Sequence, residues 1–151
     1  ATGAEILDAL EHSVVNTQAV AAQDGKAVGE SGGFLQVSGL KFTIDTSVPS
    51  SVKKDDKGLF VAVEGERRVK DVLVEENGEW VPIDPEKTYT VACHNYLLQD
   101  MGDGYTMFTD NVYILDKVLI DNQVIINYIC DFLGGNVGTE YAEPQGRITV
   151  I

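Results

Sequence analysis

Val69-Lys70-Asp71-Val72-Leu73-Val74-Glu75-Glu76-Asn77-Gly78-Glu79-Trp80-Val81-Pro82-Ile83 decides the fold class. Val69 to Val74 and Trp80 to Ile83 are rich in residues that suit a pleated surface. Between them, Asn77-Gly78 supplies two residues that tolerate positive φ, as a two-residue hairpin turn requires. The stretch therefore predicts two antiparallel strands joined directly, without a helical crossover.

Downstream, Asp84-Pro85-Glu86-Lys87 reads as a second turn. It leads into Tyr89-Thr90-Val91-Ala92, expected to be a buried strand, followed by a polar stretch and the glycine-flanked Gly102-Asp103-Gly104-Tyr105. Tyr105 is expected at the mouth of that turn, where a flat ring can meet a planar ligand. Upstream, Leu59 to Val63 is a short apolar strand, and Val48 to Lys57, with Pro49, is a surface loop. Leu40 to Asp45 alternates Leu40, Phe42 and Ile44 against Lys41, Thr43 and Asp45, the period of a half-buried strand. Phe34, Leu35 and Val37 form a further predicted strand after Gly32-Gly33.

Helices lie near both ends. Thr2 and Glu5 have capping-box spacing, and Ile6, Leu7, Leu10 and Val14 recur helically, predicting a helix over about 3–15. Val124, Ile125, Tyr128, Ile129 and Phe132 give the apolar face of a second helix, with Asp121 or Asn122 as its cap and Gly134-Gly135 as its stop. Asn16 to Ser31 is a loop with room for a helical turn around Val20, and Arg147 to Ile151 is a closing strand. Two main helices and about seven strands in hairpin-like order predict an α+β fold with a mixed, largely antiparallel sheet. No repeat or boundary divides the 151 residues, so a single domain over 1–151 is expected.

The net charge of −13 sets the chain against nucleic-acid backbones and anionic membranes. It also means that a phosphate-bearing substrate must be neutralised by something else, such as metal ions. No apolar run approaches the roughly 20 residues of a membrane span. Cys93 and Cys130 are expected as buried unpaired thiols, with a bridge between them left open. The chain lacks an initiator Met and starts almost inside a helix, so a fragment of a longer protein is expected.

Self-contained catalysis finds little support. His12 and His94 are the only histidines, without Cys-x-x-Cys or His-x-x-x-His spacing, so no metal site is expected. His12, on the first helix beside Glu11, reads as a solvated or helix-capping side chain, while His94 either touches a ligand or fills a turn. No phosphate loop or complete dinucleotide fingerprint is present. What remains is a pair of aromatics in matching contexts. Phe34 follows Gly32-Gly33 as Tyr105 follows Gly104. Two such rings can clamp a planar base, and each base–ring contact is worth roughly 1–3 kcal/mol.

Several stretches together resemble the C-terminal domain of the 5'-nucleotidase family, which includes UDP-sugar hydrolases and ecto-5'-nucleotidases. They are Leu10-Glu11-His12-Ser13, Gly33-Phe34-Leu35-Gln36-Val37-Ser38-Gly39, Asp84 through Ala92, Asn95-Tyr96-Leu97, Gly102-Asp103-Gly104-Tyr105 and Gly146-Arg147-Ile148. The resemblance implies a substrate-recognition domain that binds the nucleoside of a 5'-nucleotide between two rings, here Phe34 and Tyr105. By the same resemblance, Asp110 would hold the ribose hydroxyls, and Asn95 and Gly33 would belong to the same wall.

Hydrolysis would fall to an N-terminal metallophosphoesterase domain of the same chain carrying two divalent metal ions, with no cofactor in this domain and no catalytic residue. An extracytoplasmic setting and a possible homodimer also follow from it. The alternatives are a non-catalytic dimerisation or surface-binding module, or a relative acting on cyclic nucleotides or UDP-sugars. Where the family commonly has Gly-Gly-Asp-Gly before the second ring, this chain has Met101 in the first position.

Overall fold

A computed structural model describes residues 1–17 and 32–151. They form two compact units, one comprising Ala1–Asn111 with Arg147–Ile151, the other Val112–Gly146. The proposed helical turn around Val20 lies outside the described residues.

The first unit begins with α1 (Gly3–Ser13), closed at its start by the expected capping box. The Glu5 amide donates to Thr2 Oγ1 at 3.2 Å, and the Thr2 amide donates to Glu5 Oε2 at 2.8 Å. These bonds satisfy amide groups that a helix start would otherwise leave bare. The helix ends about two residues earlier than its apolar spacing suggests, because Val14 leaves helical geometry at φ −99° and ψ 8°.

Five strands follow: β1 (Leu40–Ile44), β2 (Val52–Lys54), β3 (Phe60–Val63), β4 (Val69–Glu76) and β5 (Glu79–Pro82). The 69–83 hairpin forms as predicted. Asn77 and Gly78 take φ of 54° and 85°, and Glu76 faces Glu79 across the turn. A last strand, β6 (Ile148–Val150), pairs in parallel with β1. The main sheet has the order β5-β4-β1-β6, and β2-β3 is a separate antiparallel pair. The fold is thus α+β with a mostly antiparallel sheet, as the sequence predicts.

Alternation along β1 is observed: Phe42 and Ile44 are buried and pack with Ile6, Leu10, Val14, Val69 and Val72. Outside that core, Lys41 sets its ammonium 4.0 Å over the Trp80 ring. This is a cation–π contact that reaches from β1 across β4 to β5.

Four expectations need correction. Among the described residues the segments 34–37 and 89–92 join no ladder, and beside the second there is a single bridge between Thr2 and Thr88. The second is bonded instead to the first residues of the chain, Tyr89 N to Ala1 O and Gly3 N to Lys87 O. Strand-like side chains do not make a strand where no neighbouring backbone takes up the ladder bonds. Val91 is accordingly 37% exposed rather than buried. The Val48–Lys57 loop contains β2, held by β3 as partner. Cys93 and Cys130 are free but exposed rather than buried.

The second unit holds α3 (Asp121–Asn127), which continues as a π-helical turn over Tyr128–Phe132. Its amino-terminal cap is Ile120, and Asp121 Oδ1 accepts from the Asn122 amide within the first turn. Tyr128 and Phe132 stack at 5.1 Å, and the Tyr128 and Tyr141 hydroxyls lie 2.8 Å apart. Gly134 and Gly135 follow at φ of 66° and 83°, the expected stop. Among the described residues no helix is long and apolar enough to cross a membrane.

Candidate functional site

Between β5 and β6 the first unit carries α2 (Asn95–Leu98) and a 3-10 turn over Gly102–Gly104. His94 caps α2, its Nδ1 accepting from the Tyr96 amide at 3.1 Å. The turn is built from left-handed backbone: Met101 has φ 54°, Asp103 51° and Gly104 89°. Met101 thus takes up the conformation that a glycine would adopt freely. The departure from the family pattern keeps the turn at a cost of roughly 1–2 kcal/mol.

The structure brings together the two chain segments that carry the predicted rings. The Tyr105 hydroxyl donates to the Gly33 carbonyl. On the other side Gly33 lies so close to Asp103 that an added Cβ would sit 2.8 Å from that residue's own Cβ. Gly33 is therefore required by the close approach of the turn.

The rings themselves are placed differently. Phe34 is half-buried, leaning on the sheet core. Tyr105 is only 1% exposed, packed with Ala9 and Phe108 and meeting the His12 ring edge-on at 4.7 Å. Burial pushes its phenol pKa well above the usual value. Tyr105 thus lines the interior of the turn instead of standing at its mouth.

Asn95 is exposed, and its amide donates to Asp100 Oδ2 at 3.3 Å across α2. Asp110 is exposed too, beside Asn111, whose amide reaches Glu5 at 3.2 Å. The structure therefore joins Gly33 to Tyr105 and leaves Asn95 and Asp110 on the rim. A cavity of about 340 Å³ opens on one side, lined by Leu35, Val37, Val91, Leu97, Tyr105 and Phe108 among others. Its mainly apolar wall suits a hydrophobic face better than the polar edge of a base.

Two side chains that shape the turn, Tyr96 and His12, were not anticipated. Tyr96 lies on Gly102, where an added Cβ would come within 2.3 Å of its ring. The contact with Tyr96 leaves no room for a side chain at Gly102. His12, expected to be solvated, is 5% exposed and binds the Asp103 carbonyl through Nε2 at 2.8 Å. The small residues Ala9 and Ser13 on that helix face were the available signal, since they let another segment come close. Glu11 beside it is wholly buried, its two oxygens accepting from the amides of Arg68 and Val69.

The chain belongs to the family described as "5'-nucleotidase, C-terminal domain", whose pattern matches residues 1–110. It is 28% identical over 156 residues to an apyrase of Tabanus yao, covering 99% of this chain and 23% of the relative. It is 27% identical over 148 residues to the trifunctional nucleotide phosphoesterase protein YfkN of Bacillus subtilis (strain 168), covering 97% and 8%. Its fold is similar to the crystal structure of a 5'-nucleotidase precursor from Thermus thermophilus. The TM-score is 0.70 and identity is 30%, over 100% of this chain and 24% of that one. The chain thus spans about a quarter or less of these relatives.

Proposed function

We propose that this chain is the substrate-recognition domain of a nucleotide phosphohydrolase and binds the nucleoside of a 5'-nucleotide. Phe34 and Tyr105 hold the base, Asp110 the sugar hydroxyls, and Asn95 and Gly33 complete the wall. The observation that carries the reading is the junction of Gly33 with Tyr105, which joins the two ring-bearing segments in one place. Family membership and the names of the relatives, an apyrase and a nucleotide phosphoesterase, point the same way.

The burial of Tyr105 makes a demand on this reading: its ring face becomes available only if the Gly102–Gly104 turn lifts. Phe34, half-buried, offers the readier surface.

Hydrolysis belongs, on this reading, to a separate metal-bearing domain. The residues of this chain do not fit such metals. Among those described, no three His, Cys, Asp or Glu side chains cluster in a way that could hold an ion. No step of the reaction is assigned to them.

Titration calorimetry with adenosine and AMP tests the proposal. Phe34→Ala should weaken binding by roughly 5- to 150-fold, the equivalent of one base–ring contact. Full-length protein that binds neither ligand at millimolar concentration, or binds both equally well after Phe34→Ala, would sink it.

A further inference from the structure

The Gly102–Gly104 turn holds a conformation that L-residues avoid, with Met101 and Asp103 both left-handed. Such geometry persists where the surroundings over-determine it. On one side Tyr96 covers Gly102, and on another Gly33 abuts Asp103. From α1, His12 supplies the hydrogen bond. A carbonyl only accepts, so His12 Nε2 carries the proton that binds Asp103 O, and in the neutral ring Nδ1 is a bare acceptor. That Nδ1 is buried, and no described group hydrogen-bonds it. The same ring lies edge-on to Tyr105 at 4.7 Å and to Phe60 at 5.7 Å. A Cβ on Gly104 would come within 3.2 Å of its Nε2.

We propose that His12 is a pH-responsive positioning residue: neutral, it latches the turn that carries Tyr105, and protonated, it lets the turn go. Its consequence for substrate binding rests on the nucleoside site proposed above, whereas the latch itself does not. Protonation leaves the Nε2–H bond to Asp103, which favours the charged form, but puts a charge in a buried place and an N–H at Nδ1 where the described residues offer no acceptor, and burial outweighs the bond. The charged groups facing it are Lys54 on β2, which opposes protonation, and Asp103 on the turn, which favours it. Among the described residues, Tyr105 and Phe60 meet the ring edge-on and bring no charge.

Burial is the largest influence and holds the His12 pKa below the usual 6.5. The latch is therefore complete above about pH 6.5, where the unfolded ring is also neutral. It is lost as the pH falls from there through the lower folded-state value.

Hydrogen–deuterium exchange on the full-length protein reads this directly. Between about pH 7.5 and 5.5, with intrinsic rates corrected, the peptide over 101–106 should lose protection by up to about tenfold, the ceiling that an open-state pKa of 6.5 sets one pH unit below it. The 69–83 hairpin should not change.

His12→Gln keeps an N–H for the Asp103 carbonyl without titrating, and should give a flat profile. His12→Phe keeps the bulk without the donor, and should leave the peptide loose at both pH values. A wild-type profile surviving in His12→Gln would overturn the proposal, even if His12→Phe fails to fold. Adenosine titrations in parallel separate the two readings. Loss of adenosine binding with an intact exchange pattern would break the nucleoside site and leave the latch standing.

Discussion

Two neighbouring residues of α1 make opposite bargains with the rest of the chain. Glu11 turns toward the sheet and Arg68, where both of its oxygens are taken by strand amides, at 2.9 and 3.0 Å. Arg68 returns the contact with its guanidinium, donating to the carbonyls of Val14, Val15 and Thr17 at the end of the helix. His12 turns toward the Gly102–Gly104 turn and satisfies only one of its two nitrogens. The sheet side is the more saturated seam, lacking a partner only at Arg68 Nε, and the turn side is half-saturated at His12. A saturated buried network fixes geometry, while a half-saturated one is where a change of protonation can act.

The largest effect should come from breaking the more saturated seam. Glu11→Ala leaves two buried strand amides bare at roughly 1–3 kcal/mol each, so unfolding by denaturant should lose about 2–5 kcal/mol. The midpoint should fall with the slope unchanged. A loss below about 1 kcal/mol would mean that water replaces the carboxylate and that the seam is not sealed.

Arg68→Met keeps the aliphatic stem but uncaps the helix end, at about 1–3 kcal/mol on the same measurement. On the turn side, Tyr105→Phe removes the hydroxyl that bonds the Gly33 carbonyl and meets Ser13, and should cost about 1 kcal/mol. If it instead equalled Glu11→Ala, the contrast between the two seams would collapse. Lys87→Met breaks the exposed ion pair with Glu76 and should leave the midpoint where it was.

These differences bear on what the sequence could reveal. The 69–83 hairpin was legible because its turn residues and both strands lie within one local stretch. The capping box of α1 was legible for the same reason. Segments 34–37 and 89–92 were misread because a strand depends on a distant partner that composition does not show.

At the site, the matching contexts of Phe34 and Tyr105 pointed to two segments that do meet. The burial of Tyr105 did not follow from them, because the side chain that covers it is His12 on another element. His12 itself was hidden for the plainest reason. Its partner Asp103 lies 91 residues away, and nothing beside it in the chain announces that contact.

The parallel pairing of β6 with β1 has a consequence for synthesis. Phe42 pairs with Ile148, 148 − 42 = 106 residues later. At translation speeds of about 5–20 residues per second, that flank of β1 waits on the order of 5–20 s for its partner. During that interval a row of backbone donors and acceptors is open to any passing strand. A ribosome stalled before Ile148 would release a chain whose sheet has a raw central edge. Such truncated products should aggregate more readily than chains that carry β6.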